Sequence, residues 1–215
     1  MKITLVGAGN MARGIATRAL AGGHDVTITA KDPVKAGQLA DELRGQEHGG
    51  RVSAADESAV DQADIVILAV PFAAARQLAA SYGPRLDGKV LMDISNPVDA
   101  SLDALVVAPG TSAAERIAEA AGPRVRVVKA FNTTFATTLV SGQVGGTPLD
   151  VFVAGDDEAA RKEVADLVVS GALNPVDVGA LKHARALEGF QLLHMALQIR
   201  EGGHGWASTI KIVAP

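Results

Sequence analysis

A doubly wound α/β fold with a mainly parallel sheet is what this sequence predicts, and three observations carry the prediction. β-branched runs alternate with Ala- and Leu-rich stretches along most of the 215 residues, the pattern of a parallel sheet covered by helices on both faces. The first strand-like run, Ile3–Val6, passes through Gly7-Ala8-Gly9 straight into a helix-like run. Apolar residues make up 48% of the chain and charged residues 20%, enough material for a large core under an ordinary surface.

The elements follow in order. Strands are expected at Ile3–Val6, Asp25–Thr29, Arg51–Ser53, Ile65–Ala69, Val90–Ile94 and Val125–Ala130, and helices at Met11–Ala21, Pro33–Leu43, Phe72–Tyr82 and Ser112–Ala121. Asp32-Pro33 reads as an N-cap followed by a first-turn proline. The stretch SGQVGGTP, residues 141–148, is broken by glycines and a proline, which makes it the expected boundary between a nucleotide-binding domain (1–140) and a small C-terminal α+β domain (141–215). Beyond it the expectation is a strand at Asp150–Ala154, a helix at Asp157–Val169, a short strand at Asn174–Val178 and a long helix from Ala180 to Arg200. The tail GGHGWASTIKIV reads as a glycine loop and a final strand or extended segment.

Composition narrows the function. A net charge of −4 without a basic block argues against a nucleic-acid partner. The absence of cysteine removes disulfides, thiolate metal sites and cysteine nucleophiles. The longest apolar run, Ile65–Ala75, contains Pro71 and is shorter than the ~20 residues of a membrane span. A strand beginning at the N-terminus leaves no room for a signal peptide, so the expected home is the cytoplasm.

The glycine turn is the strongest chemical signal. In a strand–turn–helix context, Gly7 permits the tight turn and Gly9 admits a pyrophosphate close to the backbone. Asn10 and Met11 open the helix, whose positive N-terminus attracts the phosphates. Ala12 is the third small residue of this Rossmann fingerprint and allows close helix–strand packing. After the second strand an NAD site carries an acid, whereas here Ala30 is followed by Lys31 and then Lys35. With Asp32 read as a cap, the two lysines point to the 2′-phosphate of NADP(H).

Ligands of open α/β sheets lie beyond the carboxyl ends of the strands. Three such ends carry turn-forming or uncharged polar residues: Ala69-Val70-Pro71, Asn96-Pro97, and Asn132 with Thr134. Together they are expected to form the rest of a ligand rim. No Ser/His/Asp constellation or metal pattern appears, so neither a catalytic side chain nor a metal ligand is assigned. The acids Asp156-Asp157-Glu158 read as complementing a helix dipole. The histidines (24, 48, 183, 194 and 204) are scattered, and His194 reads as a core histidine.

Across nearly its whole length the chain resembles the NADPH-dependent coenzyme F420 reductases, also called F420-dependent NADP oxidoreductases. The resemblance is carried by GAGNMARGIA, AKDPVKA, AVPFAAA, VVKAFNTTFA, VFVAGDDEAARKEVADLV and NPVDVGALKHARALEGFQLLHMAL. It implies a Rossmann domain, a small C-terminal domain covering the cleft, and a homodimer. It also implies a deazaflavin lying against the nicotinamide, with Asn96, Pro97, Asn132, Thr134 and the region around Trp206 as its neighbours. The archaeal pattern has His where Asn132 stands, and Ser and Thr where Gly189 and Gln191 fall, so hydrogen bonding in that pocket differs here. The implied chemistry is hydride transfer between NADP(H) and coenzyme F420, which needs no strong protein acid or base. The alternatives are an NADPH-dependent reductase of an imine, flavin or quinone, and a non-catalytic NADPH-sensing module. Imine reduction would call on Lys129 or His183 as proton donor.

Overall fold

A computed structural model of the chain describes residues 1–46 and 49–213. In chain order these form β1 (Lys2–Val6), α1 (Asn10–Ala21), β2 (Asp25–Thr29), α2 (Pro33–Arg44), β3 (Val52–Ala54), β4 (Ile65–Leu68), α3 (Phe72–Tyr82), β5 (Val90–Asp93), α4 (Ala113–Ala121), β6 (Arg126–Lys129), α5 (Ala136–Ser141), β7 (Gln143–Val144), β8 (Thr147–Pro148), β9 (Asp150–Gly155), α6 (Glu158–Ser170), β10 (Asn174–Gly179) and α7 (Ala184–Ile199). Asp32 caps α2 as expected, its side chain accepting from the Val34 N–H at 3.0 Å. All the strands but β7 and β8 sit in one eight-stranded sheet of order β10-β9-β6-β5-β4-β1-β2-β3.

The six strands β1 to β6 run parallel, and the order reverses between β1 and β4. A crevice therefore opens at their carboxyl ends, where open sheets bind ligands. Residue alternation explains why both faces are covered. Ile3, Leu5, Ile65 and Ile67 pack into the core under α1, α2 and α6. Val6, Val66, Leu68 and Leu91 pack into a second core under α3 and α4. Sheets buried on both sides take such apolar strands.

After residue 141 the chain extends the same sheet. β9 pairs antiparallel with β6, and β10 pairs parallel with β9. The glycine-rich stretch before them is a tight β7–β8 hairpin, with Gly145 and Gly146 at φ +57° and +77°, the two positive φ values of a two-residue hairpin turn. No strong periodicity announces this hairpin or α5. Helix α5 packs on α1 at Gly14, where an added Cβ would stand 2.7 Å from the Leu139 Cβ. Residues 207–213 belong to no strand, and Asp150 anchors them through Lys211 and the Ile212 N–H. Among the described residues no helix is long and apolar enough to cross a membrane.

Candidate functional site

The site begins at the turn between β1 and α1. Gly7 stands at φ +125°, and a Cβ there would lie 2.3 Å from the Ala69 carbonyl oxygen. Only glycine fits, because the end of β4 presses on the turn. Gly9 differs: its backbone is extended, it occupies the N-cap of α1 without a side-chain cap, and an added Cβ would meet nothing within 4 Å. The first N–H groups of α1 thus face open space with the helix dipole behind them, the arrangement that holds a phosphate. Ala12 is buried beneath the turn.

A cavity of about 900 Å³ lies on one side of this turn. Gly7, Ala30, Lys31, Val70 and Tyr82 help line it. Lys31 borders it, whereas Lys35 sits exposed on the first turn of α2 and is not part of the wall. Ala69 contributes the backbone that meets Gly7, and Pro71 holds the N-cap position of α3. The sequence reading missed Asp56, Glu57, Gln77, Ser81 and Tyr82 on this wall. They come from the loop after β3 and from α3, where no motif marks them. The Tyr82 hydroxyl is buried without a hydrogen-bond partner.

On the other side lies a cavity of about 400 Å³, lined by Asn10, Met11, Asn96, Asn132, Thr134 and Trp206 together with residues of α5 and α7. Asn96 and Asn132 form a reciprocal pair. Asn96 donates from Nδ2 to the Asn132 carbonyl at 2.9 Å, and Asn132 donates from Nδ2 to the Asn96 Oδ1 at 2.9 Å. That leaves the Asn132 Oδ1 buried and unpartnered, an acceptor held ready beside the cavity. Thr134 spends its hydroxyl proton on the Phe131 carbonyl. Pro97 is not part of the wall; its carbonyl accepts from the Val106 N–H.

Trp206 is held from two directions. Its carbonyl accepts from the Thr137 hydroxyl at 2.6 Å, and its ring meets Phe135 edge-on at 5.2 Å. Its φ of +62° is unusual for a bulky residue. Gln191, which the resemblance set in this pocket, and Met195 of α7 also reach this cavity; Met195 was missed. A signal did exist: Glu188, Gln191, His194 and Gln198 form a buried polar stripe along α7. His194 is a core histidine, its Nε2 2.8 Å from the Ser208 Oγ and its Nδ1 3.2 Å from the Gln191 Oε1. Burial, with His204 nearby, lowers its pKa.

Behind the cavity lies a fully buried ionic cluster. The Lys129 Nζ donates to the Asp93 Oδ2 at 2.7 Å, the Glu188 Oε1 at 2.8 Å and the Ser95 carbonyl at 2.5 Å, and all three ionisable side chains are 0% exposed or nearly so. Burial disfavours the Lys129 charge, but the two carboxylates outweigh it and raise its pKa. Burial in turn pushes the Glu188 carboxyl up against the opposing pull of Lys129. Glu188 also accepts from the Ala113 and Ala114 N–H groups at the start of α4. Lys129 is therefore a sealed structural cation with its donors engaged. His183 is exposed, bonded to the Val178 carbonyl and absent from both cavity walls. Neither is placed to protonate a substrate.

A separate hollow of about 570 Å³, lined by Lys2, Thr4, Asp25 and Arg51 among others, includes the opening residues of β1 and β2, away from the glycine turn. No cluster of metal-ligating side chains occurs among the described residues. His48, one of the histidines weighed from the sequence, lies outside those residues.

Comparison with known proteins agrees with this geometry. The family described as NADP oxidoreductase, coenzyme F420-dependent, matches residues 2–97. The F420-dependent NADP reductase of Methanothermobacter thermautotrophicus is 32% identical over 212 residues, covering 93% of this chain and 90% of that protein. Metalloreductase STEAP3 of Rattus norvegicus is 30% identical over 191 residues, but the chain spans only 36% of its length. A crystal structure of a candidate F420-dependent NADP reductase from Arthrobacter sp. FB24 superposes with a TM-score of 0.81 at 31% identity, covering 96% of each chain. Full-length similarity at this level, on a sheet with its glycine turn at the switch point, means that the chain belongs to the coenzyme F420-dependent NADP oxidoreductase family and is an NADP-dependent oxidoreductase.

Proposed function

We propose that the protein transfers a hydride between NADP(H) and the deazaflavin coenzyme F420, one molecule on each side of the glycine turn. The observation that carries this reading is the pair of cavities flanking one uncapped helix N-terminus, about 900 and 400 Å³. In this reading Gly7, Gly9, Asn10, Met11 and Ala12 hold the pyrophosphate segment, and Val70 walls the nucleotide side while Ala69 backs the glycine turn and Pro71 opens α3 behind it. Lys31 takes the 2′-phosphate as a point charge, with Lys35 adding to the local positive potential. Asn96 and Asn132 present amide groups to the second cavity, Thr134 and Trp206 close it, and Pro97 shapes the turn that carries Asn96.

When bound, the two cofactors supply the redox chemistry, a hydride leaving the nicotinamide and arriving on the deazaflavin. The protein's part is positioning and exclusion of water. Asn132 offers its free Oδ1 to an N–H of a planar heterocycle, and Phe135 and Trp206 give the cavity an apolar wall. Neither proton donor weighed for imine reduction faces the cavity, since Lys129 is sealed and His183 lies elsewhere, which weighs against that alternative.

We further propose that residues 141–215 act as the part that closes the acceptor side, because α7 and the Trp206 loop wall the smaller cavity. The chain is proposed to pair as a homodimer through α7, whose outward face carries Phe190, Leu193 and Leu197 at 44%, 59% and 46% exposure. Such a stripe on a buried-polar helix marks an interface. Leu193→Glu is expected to give a monomer by analytical ultracentrifugation; an unchanged sedimentation coefficient would remove α7 as the interface.

Stopped-flow absorbance tests the main reading. Oxidised F420 mixed with protein and NADPH is expected to lose its deazaflavin band, and only when NADPH is present. Tight NADPH binding without bleaching would overturn the F420 assignment and leave another acceptor to be found.

A further inference from the structure

Each member of the buried ionic cluster stands three residues before an amide side chain that lines the smaller cavity. Asp93 precedes Asn96, Lys129 precedes Asn132, and Glu188 precedes Gln191. These pairs lie at the end of β5, the end of β6 and in α7, elements distant in sequence. The cluster joins them directly through Lys129, bonded to Asp93 at 2.7 Å and to Glu188 at 2.8 Å. It also fixes the peptide next to Asn96, since the Asp93 Oδ1 accepts from the Ser95 N–H at 2.8 Å while Lys129 donates to the Ser95 carbonyl. Glu188 extends the joint to a fourth element through the Ala113 and Ala114 N–H groups, where the positive end of α4 offsets the second carboxylate.

An ionic cluster of this kind is poorly explained as a source of stability, because apolar residues of similar volume usually serve a core as well or better. Its geometry suits registration instead. We propose that Asp93, Lys129 and Glu188 are positioning residues that hold Asn96, Asn132 and Gln191 in one arrangement for the second substrate, and so set affinity for the acceptor independently of affinity for NADP(H). The proposal rests on reading the smaller cavity as the acceptor site. None of the three residues touches the acceptor; they act through the backbone that carries the amides.

Glu188→Gln keeps the shape and removes the charge that answers Lys129. Lys129→Met/Glu188→Met removes one cation and one anion together and leaves Asp93 its Ser95 N–H, which keeps the test available if the single variant folds poorly. For either variant the KM for F420 is expected to rise about tenfold with little loss of kcat, while the Kd for NADPH, titrated by nucleotide fluorescence, stays within about twofold. A parallel loss of NADPH and F420 affinity, or an unchanged KM for F420, would overturn the proposal. A wild-type enzyme that does not reduce F420 would refute the functional reading instead, and the clamp would then be judged without substrate. Trp206, the only tryptophan in the chain, lines the cavity, so its emission maximum and the side-chain amide NMR signals of Asn96, Asn132 and Gln191 report the arrangement directly. Both are expected to shift in Glu188→Gln; unchanged spectra would overturn the clamp whatever the acceptor.

Discussion

Gly7 and Gly9 lie two positions apart and exclude side chains for different reasons. At Gly7 the neighbour is the protein's own Ala69 carbonyl, 2.3 Å from an added Cβ, and the backbone is at positive φ. Gly7→Ala is therefore expected to cost about 2–4 kcal/mol of stability, from strain and collision together, measured by urea unfolding. At Gly9 the space is open and the backbone extended. Gly9→Val is expected to leave the melting temperature nearly unchanged while weakening NADPH by about a hundredfold, because its side chain fills the room needed for the pyrophosphate. The lysines also separate. Lys31 borders the cavity and Lys35 does not, so Lys31→Ala is expected to weaken NADPH about tenfold with NADH unaffected, and Lys35→Ala to do less in the same titration. The sequence named both glycines and both lysines, since local motif and spacing were enough; the different jobs within each pair depend on what stands opposite.

Elements were legible to the extent that they carry their own periodicity. Predicted strands and the helices through α6 begin and end within a residue of their positions in the structure. Helix α7 is preceded by a short 3-10 turn at Leu181–His183 instead of starting at Ala180. Short elements escaped notice: α5 spans only Ala136–Ser141, and the β7–β8 strands have two residues each. Helix α5 still matters, because it packs on α1 through Gly14 and carries Thr137, which holds the Trp206 carbonyl. Gly14→Ala would set a Cβ 2.7 Å from that of Leu139, and helix separation would have to grow. Such overpacking is expected to destabilise by about 1–3 kcal/mol, with the thermal midpoint as the check. If Gly14→Ala raised the midpoint through helix propensity alone, the close α1–α5 contact would be refuted.

At the scale of the whole molecule, the C-terminal tail closes the structure through a charge. Burial pushes the Asp150 carboxyl up, but hydrogen bonds from Lys211, the Ile212 N–H and Asn174 outweigh it and hold it below the usual carboxylate range. The sign follows from linkage: a carboxyl lowered on folding contributes stability that is complete above its unfolded pKa and is lost as pH falls through the folded one. Wild-type thermal midpoints are expected to fall between about pH 6 and about pH 3, and Asp150→Asn to start lower and lose less over that range. Equal slopes would mean that the tail anchor does not titrate. The sequence by itself determined the order of strands and helices, the glycine turn and the amide-rich strand ends, because each depends on neighbours within a few residues. Tertiary structure alone decided that Asn96 and Asn132 bond to each other and leave one amide oxygen free, that Lys129 is sealed between Asp93 and Glu188, and that β9 and β10 join the main sheet. Those contacts span from about twenty-five to about sixty residues of chain, and a buried charge or an unpaired strand edge finds its partner only when the whole core closes around it.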